Sequence, residues 1–150
     1  MSEFNMLSMA REMLVGFGEF CEIQIHSITD RELTATMPLR EEFLNVHGFA
    51  HGGAINTLMD SSAGILSMFA NHPPRRVVTR SADIHYVRPL GGTMLRAQAR
   101  VIKHGKTCCL TSADIYDDQD RLCAAGYFEL VYITLPGEDK LIEKASHLED

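Results

Sequence analysis

The spacing of apolar residues changes several times along the chain, and each change predicts an element. Ser2 to Phe17 places Phe4, Met6, Leu7, Met9, Met13 and Leu14 in a roughly helical pattern closed by Gly16 and Gly18, which predicts a short leading helix. Cys21 to Ile28 alternates with Ile23 and Ile25 on one face, and Glu32 to Leu39 alternates with Leu33, Ala35, Met37 and Leu39 inward. With Thr29-Asp30-Arg31 between them, these segments predict a hairpin. A loop, Glu41 to Gly53, leads into Ala54 to Ala70, a run rich in Ala, Leu and Met that is too long for an ordinary strand. Its boundaries are Gly52-Gly53 and Asn71-His72-Pro73-Pro74, so it predicts a helix. Apolar residues cover most of its circumference, as expected of a helix enclosed by a sheet.

Four strand-like segments follow: Val77 to Val87, Thr93 to Lys103, Lys106 to Tyr116 and Arg121 to Thr134. In the second, Leu95, Ala97, Ala99 and Val101 alternate with Arg96, Gln98 and Arg100. Tight turns at His104-Gly105 and Asp117 to Asp120 make the last three a meander. The order predicts an α+β domain with one curved antiparallel sheet around one apolar helix. The chain divides into a leading helix over 1–17, one domain over 18–134 and a charged tail over 135–150, with a short helix expected at Asp139 to Ala145.

Composition narrows the class. With 150 residues, 45% hydrophobic and 23% charged, the chain suits one globular domain and excludes collagen, coiled coil and disorder. Glu3, Arg11, Glu12 and Glu19 interrupt the N-terminal apolar residues, unlike a secretion signal, and no run is long enough to span a bilayer. The reading is a cytoplasmic protein without a membrane partner. Cys21, Cys108, Cys109 and Cys123 form no CxxC pair and are read as small apolar fillers. The net charge of −6 argues against nucleic acid as a partner, yet His72 to Lys106 alone carries +7, which suggests either a local anion site or solvated strand faces.

Asp60 is the one charged residue in the long helix, and a carboxylate there costs several kcal/mol unless paired or hydrogen-bonded. One reading makes it a general base or nucleophile; the other has it satisfied by Ser61, Ser62 or Asn56 or reaching solvent at a groove edge. His51-Gly52-Gly53 stands where the helix begins, and the unpaired amides of a first turn suit a developing oxyanion. Asp60 lies nine residues after His51, ~13 Å along a helix and roughly on its opposite side. If both act in one reaction, an isologous dimer with two shared sites is required. His47 and His51 are four apart, but the glycines around them make this a loop with no third ligand, so no metal is expected. GxSxG, GxGxxG and Walker-type loops are absent.

The segments NVHGFAHGGAINTLMDSSAG, RSADIHYVRPLGGTMLRAQARVIKHGKT and RLCAAGYFEL resemble hotdog-fold acyl-CoA thioesterases of the phenylacetate-pathway (PaaI-like) group over roughly Phe17 to Thr134. The resemblance implies the hotdog fold, dimers paired edge to edge into a continuous sheet, and tetramers as dimers of those dimers. It implies that Asp60 activates water or attacks the thioester carbon. It makes Gly52 or Gly53 the amide donor to the thioester oxygen, with Asn45 and His51 supporting that donor and orienting the substrate. Thr79 falls where some members place a water-positioning Ser. Ser61 and Gly64, with Ile65, Met68, Phe43 or Leu44, are candidate pocket residues, and Arg88, Lys103 and Lys106 are candidates for the phosphates of coenzyme A, a part of the substrate rather than a cofactor. Another reading of the same fold is a non-catalytic acyl-CoA-binding or sensor protein; a hydratase would need a His-carboxylate motif that is absent.

Overall fold

The computed structural model describes residues 2–136, and of residues 3 and 4 it describes the backbone alone. Ten elements follow in order: α1 (Glu3–Glu12), α2 (Phe17–Phe20), β1 (Gln24–Ile28), β2 (Glu32–Pro38), a 3-10 turn (Glu41–Phe43), α3 (Gly52–Phe69), β3 (Val77–Tyr86), β4 (Met94–His104), β5 (Cys108–Tyr116) and β6 (Leu122–Tyr132). The helix expected at Asp139 to Ala145 lies outside the described residues.

The leading helix stops at Glu12, with Met13 as its C-cap, instead of reaching Phe17, and the chain turns into α2 at Gly16, whose φ of +58° glycine adopts without strain. Ser2 caps it by accepting from Asn5 N at 3.3 Å, and Met6 and Ala10, one turn apart, join the same core as the sheet. In β1 the pairing shifts between Ile25 and Ser27, so His26 is extruded as a bulge and Ile28 returns to the face of Ile23 and Ile25.

All six strands pair antiparallel in the order β1-β2-β4-β5-β6-β3. The predicted meander is β4-β5-β6, while β3 crosses to the far edge and pairs only with β6. Among the described residues its other side is unpaired over ten residues, with Val78 and Tyr86 exposed. α3 packs on one face, against β2 to β6, where Leu95, Ala97, Ala99, Ala113 and Ile115 are fully buried. Small residues there let the helix approach the sheet closely.

The sheet curves around α3 as its apolar pattern predicts: Ile55, Leu58, Met59, Ser62, Ala63, Ile65, Leu66 and Phe69 are buried, and Asn56, Thr57, Asp60, Ser61, Gly64 and Met68 form a half-buried stripe. Those residues recur three or four apart along one side of the helix, the side the curved sheet leaves uncovered. Among the described residues, no helix is long and apolar enough to cross a membrane.

The β5–β6 turn hangs on Asp117, whose buried carboxylate accepts from Arg121 N (3.0 Å), Gln119 N (2.9 Å) and Arg121 Nε (2.8 Å). The Arg121 amide, foremost among these donors, holds that carboxyl below the usual carboxylate range. A depressed native value stabilises the fold above the unfolded pKa of ~3.9, and the benefit disappears as pH falls through the native value. Asp117→Asn is therefore expected to melt lower at neutral pH. Its melting temperature should also decline less than the parent's between pH 5 and pH 2, as followed by circular dichroism.

Candidate functional site

α3 begins two residues earlier than its composition predicts, because His51, in extended conformation (φ −63°, ψ 139°), serves as N-cap. Its Nδ1 accepts from Gly53 N at 2.8 Å, and its carbonyl accepts from Ala54 N (2.9 Å) and Ile55 N (3.1 Å). The capping separates the two candidate donors. Gly53 N–H is consumed by the cap, whereas Gly52 N–H has no hydrogen-bond partner among the described residues. The open amide at the helix tip is thus that of Gly52, while that of Gly53 is engaged by the cap.

Asn45 builds the loop that delivers this tip. Its Oδ1 accepts from His47 N (2.9 Å) and Phe49 N (3.2 Å), and its own N–H donates to the Phe49 carbonyl at 2.7 Å. His51 N–H in turn donates to the Phe43 carbonyl at 2.7 Å. Asn45, Phe49, Gly52, Tyr86 and Arg88 line a cavity of about 410 Å³ at the tip. Tyr86 was not legible as a site residue. Its hydroxyl donates to the Gly52 carbonyl at 3.2 Å, and its ring lies where a Gly52 Cβ would meet it at 3.4 Å.

Farther along α3, Asp60 is half-buried, and Thr79 Oγ1 donates to its Oδ1 at 2.7 Å, a length typical of a hydroxyl on a carboxylate. Thr79, and not Ser61, Ser62 or Asn56, is the donor recorded for it, and Ser62 Oγ and Asn56 Oδ1 are buried without partners. The other Asp60 oxygen has no partner among the described residues. Asp60, Ser61, Gly64 and Thr79 line a second cavity of about 760 Å³, together with Met13 and Phe17 from the N-terminal segment. Phe43 and Leu44, expected near the pocket, line neither cavity; the Phe43 ring instead lies 4.4 Å from the Arg40 guanidinium.

A single bulge sets both contacts with α3. Pairing of β3 with β6 runs Thr79 opposite Leu130 and then Ser81 opposite Glu129, which leaves Arg80 as the extra residue. Strict alternation would put Thr79 and Tyr86 on opposite faces. The bulge switches parity, so Thr79 reaches Asp60 and Tyr86 reaches Gly52 from the same face of one strand. Arg80 is held outside by Glu129, which also accepts from Ser81 Oγ.

Gly52 and Asp60 stand eight residues apart on α3, ~12 Å along its axis and about 80° around it, and the two cavities share no lining residue. The open amide and the carboxylate therefore stand in separate cavities of one chain. The basic residues are dispersed as well: Arg80 pairs with Glu129, Arg96 with Asp120 and Arg100 with Glu32. Arg88 opens onto the Gly52 cavity. Lys103 and Lys106 lie at the opposite end of α3, where the Lys106 carbonyl accepts from Arg75 and the neighbouring His104 contacts Asn71, so the structure does not join them to Arg88 within one chain. Among the described residues, no three His, Cys, Asp or Glu side chains cluster as metal ligands.

Comparison with known proteins places this geometry. A family model described as the thioesterase superfamily matches residues 47–124. The 1,4-dihydroxy-2-naphthoyl-CoA hydrolase of Escherichia coli is 26% identical over 106 residues, covering 71% of this chain and 78% of that protein. Among solved structures, a thioesterase of Haemophilus influenzae superposes with a TM-score of 0.79 at 21% identity, over 87% of this chain and 92% of its own. The PaaI protein of the E. coli phenylacetic acid degradation operon superposes with a TM-score of 0.77 at 22% identity, over 85% and 91%. At those identities the superpositions establish a common fold.

Proposed function

The chain belongs to the thioesterase superfamily and is a thioester hydrolase of hotdog fold, and from that premise we propose that it cleaves acyl-CoA thioesters with Asp60 of one protomer and the Gly52 N–H of another. The observation that carries the reading is the pair of half-sites: an open amide at the tip of α3 and a hydroxyl-bound carboxylate midway along it, too far apart to act on one carbonyl. An isologous dimer across the open β3 edge brings each tip to the partner's Asp60 and completes two equal sites. Two such dimers can associate further into a tetramer.

Thr79 holds Oδ1 of Asp60, which leaves the other oxygen to take a proton from water as that water attacks the thioester carbon. The carbonyl oxygen becomes an oxyanion facing Gly52 N–H and the positive end of α3. Collapse breaks the C–S bond, coenzyme A departs as thiolate, and the proton on Asp60 returns to it. With a thiol pKa of ~8.5, that leaving group needs no strong acid, which suits so sparse a site. Asn45, His51 and Tyr86 act indirectly, by fixing the first turn of α3. Arg88 is positioned to meet a phosphate of coenzyme A.

Thiol release from a panel of acyl-CoA esters tests the activity, and tight binding without release would favour a sensor instead. Thr79→Val is expected to lower kcat about 10- to 150-fold, because a hydrogen bond to a charged group is worth roughly 1.5–3 kcal/mol. Thr79→Ser, which keeps the hydroxyl, should recover most of the loss.

A further inference from the structure

The 760 Å³ cavity beside Asp60 is larger than a hydrolytic water and a thioester group require, and its walls are unlike those of the cavity at the helix tip. Along α3 it follows Asp60, Gly64 and Met68, one residue per turn on a single side of the helix. Gly64 leaves the middle of this track open, since a Cβ placed there meets no atom within 4 Å. The opposing wall comes from the segment between α1 and α2. Val15 and Phe17 are 70% and 65% exposed in a stretch held to the core through Met6, Ala10 and a hydrogen bond from Arg11 Nε to the Ile25 carbonyl at 3.1 Å. Large apolar side chains kept on a fixed segment, facing a trough that ends at a reactive carboxylate, suit an apolar group attached to the reacting carbon.

We infer that this cavity is the acyl chamber, walled by the N-terminal segment through Met13, Val15 and Phe17, and that it selects an unbranched aliphatic acyl chain of about eight to ten carbons. The inference rests on the thioesterase reading above. Its length follows from α3. Asp60 to Met68 spans eight residues, ~12 Å at 1.5 Å per residue, and a zigzag chain of ~1.5 Å bonds advances about 1.25 Å per carbon. Its shape follows from the lining, in which thioether and branched aliphatic side chains outnumber the one aromatic, Phe17. Met13 and Met68 adapt to a flexible chain better than they define a flat slot.

The test is the chain-length profile of kcat/KM for the full-length protein, from acetyl- to palmitoyl-CoA, with benzoyl- and phenylacetyl-CoA alongside. In the parent, kcat/KM should rise about two- to fourfold per added methylene up to eight to ten carbons and then level off, as burial of each methylene predicts. Gly64→Leu should move the optimum down by about four carbons, because it fills the track halfway, ~6 Å from Asp60. That helix position tolerates leucine better than glycine, so a folded protein is expected. Val15→Ser with Phe17→Ser, both at exposed positions, should reduce the decanoyl-to-butyryl ratio at least fivefold.

A flat profile, a preference for phenylacetyl over octanoyl, or an optimum unmoved by Gly64→Leu would overturn the inference while leaving the thioesterase reading standing. So would a Val15/Phe17 double variant that changes only the oligomer mass, since that segment would then be a contact between copies. Absence of thiol release from every ester overturns the thioesterase reading itself, a separate result from any of these.

Discussion

A chain carrying Gly52→Pro is expected to lose about 10²- to 10³-fold in kcat while its melting temperature stays within a few degrees of the parent's, the loss typical of deleting one oxyanion donor. The substitution removes one atom of interest, the hydrogen on the Gly52 nitrogen, and little else. Proline is tolerated at the first helical position, where the N–H has no intrahelical acceptor. His51 already has the extended backbone that a residue preceding proline prefers. A Cβ at position 52 would meet the Tyr86 ring at 3.4 Å, an ordinary contact. Gly52→Ala adds the same Cβ and keeps the donor, so comparing the two variants in a thiol-release assay separates the donor from bulk. Equal losses in both would remove the amide from the mechanism.

Asp60→Asn should cost about 10²- to 10⁴-fold in kcat, the range for a lost general base, with the circular dichroism spectrum unchanged because asparagine still accepts from Thr79. The two inactive variants together make a sharper test. Refolded in equal amounts, half of the dimers are mixed, and each mixed dimer holds one site with both groups intact. Activity should recover to about a quarter of the parent's, as two-fold symmetry requires. A site complete within each chain predicts no recovery. A single turnover of the parent in H₂¹⁸O then tests the two roles of Asp60, since label in its own carboxylate requires that Asp60 attack first and that water then open the resulting anhydride at the Asp60 carbon.

Much of the fold was legible because burial and period agree: β2 and β5 alternate cleanly and β4 does so as far as Ala99, and of the inward residues predicted Leu33, Ala35, Met37, Leu95, Ala97 and Ala99 are buried, while Leu39 and Val101, near strand ends or a bulge, are partly so. Other features depend on partners distant in sequence. α3 was placed two residues late because Gly-Gly is a poor helix former and histidine an uncommon cap; what starts the helix is Nδ1 of His51 reaching Gly53 N. The same hydrogen bond decides between two adjacent glycines that sequence treats alike. The Arg80 bulge has no local signature, and without it Tyr86 alternates to the wrong face. The concentration of positive charge in His72 to Lys106 was visible, but the ion pairs of Arg80, Arg96 and Arg100 were not, since their partners Glu129, Asp120 and Glu32 come from β6, the β5–β6 turn and β2.

The ten-residue bare side of β3 also governs how the protein tolerates change. In the dimer proposed above, a chain without its copy would present an edge that is unpaired among the described residues, beside the exposed Val78 and Val87, the kind of ledge onto which any extended segment can add. Substitutions along that ledge should therefore reveal themselves less as soluble single chains than as poor yield and turbid lysates, so solubility during expression becomes a sensitive report on pairing.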